Sequence, residues 1–401
     1  MSALMLSFPW HERLSSLGII MLSAHWLMDR QLLSKIKAIR FSTIAILSFS
    51  FFLWHLVSLA WTSYPEEAAQ TIEVKLSLFI LPILFSGENY FTDKNQKLIL
   101  GAFIISCVAA FVYMSIHASL AYPWIEQWSE KFQRMNFSAP LMHPGYLSNY
   151  FIVALIFWVK KKEQWLKSTF GHQSLYYLVI IICAIAILFL ASRTVMLFVL
   201  MIIPIYLYRY TSQIVKHIGL RVLLTAAVLL GTVLVAYQIP VVKLRVQETM
   251  TLGRQVAPSE VQVWDATLSR VAVYSLSAQL ISQSPWIGYG VGAANPMLLT
   301  RLQEHGYIHL ASIKLHTHNQ YFHTWLDLGI IGLLLLLSFL ASFYAYAWHH
   351  QSAITFLLAL LTTINLLTDD MFEIQAGIVF LMILLFAGSI SPSKPSQLEN
   401  L

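Results

Sequence analysis

From Leu175 to Ala191 the chain reads LYYLVIIICAIAILFLA, a run without a single charge. A lone segment of this kind in hydrocarbon must pair its own backbone N–H and C=O groups, and only a helix does so within one run. Comparable runs recur at 15–28, 42–61, 72–88, 98–118, 143–159, 174–191, 194–208, 222–239, 320–346, 353–368 and 374–390, with a short further candidate at 2–9. The pattern predicts an all-α polytopic membrane protein with about twelve transmembrane helices. Several runs fall short of the roughly 20 residues that a perpendicular crossing needs, so tilted or broken pieces are expected. Composition agrees: 58% of the 401 residues are hydrophobic and 11% charged, more apolar surface than a soluble domain can hide.

The net charge of +6 does not point to nucleic acid, because the basic residues are spread over short loops between apolar runs. Arg30, Lys35, Lys37 and Arg40 share one loop, and Lys94 and Lys97 lie in another. Lys160, Lys161, Lys162 and Lys167 fill a third, and Arg209, Lys216 and Arg221 a fourth. These loops alternate in step with the spans, which predicts a cytoplasmic side for all of them. The opposite, outer side then holds 62–70, 119–142, 240–319 and 368–375. The expected organisation is N-terminal transmembrane helices over 1–239, an outer loop with a helix over 240–319, C-terminal transmembrane helices over 320–390 and a cytoplasmic tail over 391–401, all in one integrated membrane domain. Cys107 and Cys183 fall inside apolar runs and carry no disulfide information. No cleavable signal peptide is expected, since 1–9 lacks a basic start. No internal repeat is evident.

The outer segment 240–319 is long for a connector, and a loop of that length is a place for function. It contains a helix-like stretch from about Thr267 to Ser282, then SPWIGYGVGAANP, whose Gly and Pro residues suit a tight loop that can approach a ligand. At its end stands KLHTHNQYFHTWLDLGIIG, which places His316, His318, Asn319 and His323 where polar sequence gives way to an apolar helix. Helical indexing from His318 puts Phe322, Trp325, Gly329 and Gly332 on one stripe, with the glycines offering a close packing surface.

Candidate chemistry gathers at this outer end. A histidine can accept a hydroxyl proton at neutral pH, so His318 is a candidate base, with a structural interfacial histidine as the alternative. Asn319 could hold a sugar hydroxyl. His316 and His318 form H-x-H, but without Cys or H-E-x-x-H no metal is expected. Asp369, Asp370 and Glu373 could orient the histidine or remain a hydrated loop; Asp327 projects from the other side of its helix. Arg193 in FLASRTVMLFV either snorkels to the interface or faces a polar cavity. Arg270 opens the outer-loop helix, while Arg245 and Arg254 read as solvated loop charges. Lys75, and His143 with Gly145, could line the same face or serve as anchors. Trp264, Tyr274, Trp286, Tyr289 and Tyr321 stand where a sugar could stack.

Three stations together resemble the O-antigen ligase and polymerase superfamily of bacterial envelope glycosyltransferases. They are Ser192-Arg193, the run from Arg270 through Pro285 to Gly288-Tyr289-Gly290, and His318-Asn319 followed after nine residues by Gly329 and after two more by Gly332. The resemblance covers roughly 190–332 and favours the ligase side. It implies a site facing the periplasm of the bacterial inner membrane. The donor would be a glycan on undecaprenyl pyrophosphate, and the acceptor a sugar hydroxyl such as that of lipid A-core. Arg193 and Arg270 would hold the pyrophosphate and His318 would be catalytic. Asn319, His316, Arg254, Tyr274 and Lys75 would support them. Transfer would invert the anomeric centre without metal or other cofactor. A polymerase of the same superfamily is the nearest alternative. A polyprenyl-linked sugar flippase would instead call for paired repeats and mid-helix charges.

Overall fold

A computed structural model describes residues 1–39, 41–87, 90, 93–122, 134–160, 162, 170–237, 258 and 266–390. Arg40, Lys161, Lys167, Arg245, Arg254 and Trp264, with the rest of 238–257, 259–265 and the tail 391–401, lie outside the described residues.

The described residues are helical and contain no strand. In chain order the helices are α1 (Ser2–Ser7), α2 (Glu12–Leu27), α3 (Leu32–Ala38), α4 (Thr43–Ser58), α5 (Pro65–Lys75), α6 (Ser77–Gly87), α7 (Asp93–Ala121), α8 (Arg134–Ser138) and α9 (Pro144–Lys160). They continue as α10 (Phe170–Leu190), α11 (Arg193–Ile214), α12 (Ile218–Tyr237), α13 (Ala266–Gln283), α14 (Ala294–Glu304), α15 (Ile308–Ser312), α16 (Gln320–His349), α17 (Ala353–Thr368) and α18 (Gln375–Ile390). A 3-10 turn, Met371–Glu373, separates the last two. Among the described residues four stretches are long and apolar enough to cross a membrane: Pro65–Ser86, Asn95–Ala121, Phe170–Leu190 and Gln320–His349. Five shorter apolar helices accompany them. The chain is a helical membrane protein. Residues 2–9, a candidate twelfth span, supply only the six-residue α1.

The chain divides into two compact units, each discontinuous in sequence. The first comprises Met1–Leu14, Asp93–Gln247 and Ser393–Leu401. Here α1 packs on α7, and α9 packs on α7 and α10. Trp10 Nε1 donates to Ser106 Oγ over 2.8 Å, and Trp158 Nε1 donates to the Tyr176 carbonyl over 3.0 Å while the two rings stack. These aromatics give the unit apolar contact area, and both indole N–H groups find acceptors.

The second unit comprises Ser15–Thr92 and Glu248–Pro392. Its centre is α16, which packs against α4, α13, α17 and α18. Helix α16 starts cleanly because Asn319, in an extended conformation, is its N-cap: Oδ1 accepts from Tyr321 N at 3.0 Å and Phe322 N at 3.1 Å. That satisfies two of the orphan donors of a helix start. The helix is broken at Gly329, whose φ of 66° and ψ of −168° no helical residue adopts. The expected continuous stripe from His318 through Gly329 therefore does not form. His318 precedes the helix, and Gly329 interrupts it.

Candidate functional site

Four segments of the second unit meet along the first arm of α16, Gln320–Leu328: the glycine loop, the end of α5, the 3-10 turn after α17 and helix α13. The first is the glycine loop 285–294. Tyr289 N donates to the Leu326 carbonyl and Gly290 N to the Asp327 carbonyl, both at 2.8 Å, and Ile330 N donates back to the Pro285 carbonyl at 2.9 Å. The break at Gly329 frees these groups, and the loop takes them up. Gly288, Gly290 and Gly292 all have positive φ. A Cβ on Gly290 would strike Thr62, and one on Gly292 would strike Ala68. The glycines are there so that backbone can lie on backbone. Asp327 closes the arrangement, its carboxylate accepting from Gly292 N at 3.0 Å and Ala294 N at 2.7 Å.

Beneath the start of α16 lies a buried polar cluster. His323 Nε2 is 3.4 Å from Glu373 Oε2 and 3.7 Å from Asp327 Oδ2, and its Nδ1 is 3.7 Å from Asp370 Oδ2. The Thr317 hydroxyl lies 3.3 Å from His323 Nδ1 and donates to Asp370 at 3.2 Å. Lys75 Nζ donates to Glu373 at 2.5 Å and to the Phe372 carbonyl at 2.8 Å. Gln320 joins both ends, donating to Glu373 at 2.7 Å and accepting from Phe372 N at 2.8 Å. Burial alone would raise the carboxyl pKa values of the 3-10 turn. The neighbouring charges win instead: Glu373 is pulled down to about 2 by His323, Lys75 and Gln320, and Asp370 falls below the usual carboxylate range through its hydrogen bond to His323. Lys75, which could have lined the site's face or served as an anchor, is 1% exposed and holds this turn.

Above the cluster, His318 stands in a left-handed conformation with φ of 47°. Its side chain is partly exposed, and Nδ1 lies 3.6 Å from Asp369 Oδ1. Its carbonyl accepts from the Tyr274 hydroxyl at 3.0 Å, and the Tyr274 ring meets Phe322 edge-on at 5.5 Å. Burial raises the Tyr274 pKa, and the charge of Arg270, one helical turn earlier on α13, opposes that rise. The structure thus brings Arg270, Tyr274, His318 and Asp369 to one place. Asn319 is engaged as the helix cap, His316 is exposed beside it, and Arg254 lies outside the described residues. Arg193 opens α11 in the first unit, following Ser192 at the N-cap and Ala191 at a φ of 44°. His143 and Gly145, at the start of α9, also belong to the first unit.

One donor atom from each of His318, Asp369 and Asp370 lies within 4.8 Å of the others, so these three could hold a metal ion. The expectation of no metal came from motif spacing, which does not see that the turn after α17 adds two carboxylates here. Gln320 and Thr317 are cluster members that the sequence did not single out. A signal for Gln320 was present: Gln320, His323, Thr324 and Asp327 recur at three- and four-residue spacing, a polar stripe in an otherwise apolar helix.

The glycine loop, the capped histidine and the glycine break all lie within residues 178–337, which match the family model described as O-antigen ligase. Over that span the chain is O-antigen ligase-like. No curated protein matches the chain. The matched span includes Arg193, Arg270, His318, Gly329 and Gly332; Lys75 and the turn carrying Asp369, Asp370 and Glu373 lie outside it.

Proposed function

We propose that the chain is a glycosyltransferase of the ligase type. It would move a glycan from undecaprenyl pyrophosphate to a sugar hydroxyl, such as one on lipid A-core, at the periplasmic face of a bacterial inner membrane. The observation that carries this is the His318 turn: a partly exposed imidazole beside Asp369, held over the α13 helix that bears Arg270, within the ligase-like span. The five shorter apolar helices, together with α2, α9 and the short α1, would complete a topology of about twelve spans, with this end outward.

In the proposed reaction His318 removes the proton from the acceptor hydroxyl. The oxygen attacks the anomeric carbon opposite the pyrophosphate, the carbon–oxygen bond to the leaving group breaks, and its electron pair stays on the pyrophosphate. Asp369 stabilises the imidazolium that forms; catalytic contacts longer than a hydrogen bond in a free site commonly tighten when substrate binds. Arg270 holds the departing diphosphate, a task suited to the two-pronged guanidinium. Attack from the face opposite the leaving group inverts the anomeric centre.

The test is transfer from undecaprenyl-pyrophosphate glycan to lipid A-core by the purified chain in detergent. His318→Ala and Asp369→Asn should lose transfer while the chain stays folded, and Arg270→Lys should weaken donor use. Full activity in His318→Ala would sink the proposal. Long ladders built on the donor itself would replace ligase with polymerase.

A further inference from the structure

By charge and composition the whole of 240–319 belongs outside the bilayer, yet its glycine loop is bonded to α16 well below that helix's start. Helix α16 has 30 residues. At 1.5 Å per residue it is roughly 45 Å long, against about 30 Å for the hydrocarbon core of a bilayer. Counted back from the exposed Trp348 at its far end, about 30 Å of helix reaches Gly329. The remaining arm, Gln320–Leu328, carries the buried polar residues Gln320, His323 and Asp327. The edge of the hydrocarbon therefore falls at the break, where the loop is docked.

At that level the outward side chains of α16 are apolar, with Ile331 41% and Leu334 55% exposed. The loop continues that surface: Trp286 is 73% and Ile287 47% exposed. Non-helical backbone can sit at such a depth only when its polar groups are matched by protein. Here they are. Besides the bonds to α16, Val291 N donates to Ser58 Oγ at 3.1 Å, Thr62 Oγ1 donates to the Val291 carbonyl at 2.9 Å, and Ser284 Oγ donates to the Gly288 carbonyl at 2.9 Å. Just before the loop, Gln283 accepts from Arg301 at 2.9 Å, which marks the polar rim. Tryptophan at a polar–apolar boundary is the residue membrane interfaces favour.

We infer that Trp286 and Ile287 form a wedge seated in the bilayer interface, in contact with the acyl chains of the surrounding lipid. The loop is thus a membrane contact as well as a scaffold for the α16 break. The inference rests on the membrane placement of α16 and is independent of the glycan reaction.

Single cysteines at Ile287, Leu334 and Ser312, in the full chain with Cys107 and Cys183 changed to alanine, would carry nitroxide labels. The protein would be placed in phosphatidylethanolamine–phosphatidylglycerol vesicles. Labels at Ile287 and Leu334 should collide more with oxygen than with a water-soluble nickel chelate, and the label at Ser312 should do the reverse. An Ile287 label behaving like Ser312 while Leu334 stays lipid-like overturns the wedge. If Leu334 also behaves like Ser312, α16 is not in the bilayer and the inference falls with it. Should the cysteine-free chain not fold, quenching by lipids brominated on the acyl chains gives a second readout. Trp286→Phe should then remove part of the quenched emission, and an unchanged quenched fraction overturns the inference.

Discussion

Gly288 and Gly329 meet backbone to backbone, each at a positive φ, and neither has room for a side chain. A Cβ on Gly288 would come within 2.6 Å of Gly329 N, and one on Gly329 would overlap the Trp286 carbonyl. The left-handed conformation alone costs an L-residue about 1–2 kcal/mol, and the overlap adds displacement of two backbones. Gly288→Ala and Gly329→Ala should therefore each lower thermal stability in detergent by several degrees. Gly332→Ala should do likewise, because its new Cβ would collide with Leu328. Wild-type melting in Gly329→Ala would show that the break is not obligatory.

Asp327 is the clasp between α16 and the loop. Asp327→Ala would leave the Gly292 and Ala294 N–H groups buried without an acceptor, at about 1–3 kcal/mol each. Asp327→Asn keeps one oxygen and should lose less. Unfolding measured for both variants should rank them in that order, and equal losses would mean the carboxylate is not the clasp.

The buried Lys75–Glu373 pair makes a different prediction. Lys75→Met takes the lysine from Glu373 and leaves His323 beside it, and breaking one side of a buried pair typically costs about 3–5 kcal/mol. Lys75→Met combined with Glu373→Gln removes both charges and should recover part of that loss. A double variant no better than the single would show that the pair acts independently at its two ends.

Stability should also depend on pH through Glu373. Its folded pKa of about 2 lies below its ordinary 4.5. A depressed carboxyl contributes its full stabilisation above the unfolded value and loses it as pH falls through the folded one. Stability should thus change little with pH just above 4.5 and fall from there towards 2. Glu373→Gln should be less stable at neutral pH and show a shallower acid slope. A wild-type slope in that variant would assign the effect elsewhere.

The His318 turn separates backbone from side chain. At a φ of 47° glycine is unstrained, so His318→Gly removes the imidazole without adding strain to the turn. It should be as inactive as His318→Ala in glycan transfer. Any transfer by His318→Gly that imidazole added to the buffer restores would tie the loss to the missing base. An active His318→Gly without added imidazole would assign the base to another group.

Composition and local pattern made the helical membrane class legible and marked the His318 end of α16 as a candidate site, while the pairing of Arg270 with His318 came from the resemblance to the ligase superfamily. The sequence alone misjudged Gly329, because a glycine at helical spacing looks the same whether it eases packing or breaks the helix; φ depends on what docks there, and Trp286 is far away in sequence. It offered Asn319 as a group that could hold a sugar hydroxyl without seeing that asparagine directly before a helix is the signature of a cap. Asp327 could be placed on the far side of the helix from His318, but not paired with Gly292 and Ala294. Those contacts arise from tertiary folding, as does the meeting of Lys75 with Glu373 across 298 positions.

The break at Gly329 is clamped on both sides by one loop, Tyr289 N and Gly290 N bonding the arm above it and the Pro285 carbonyl accepting from Ile330 N below it. The bend is therefore a fixed elbow, and the angle at which the arm led by Asn319 leaves the span is set by the loop and not by the helix alone.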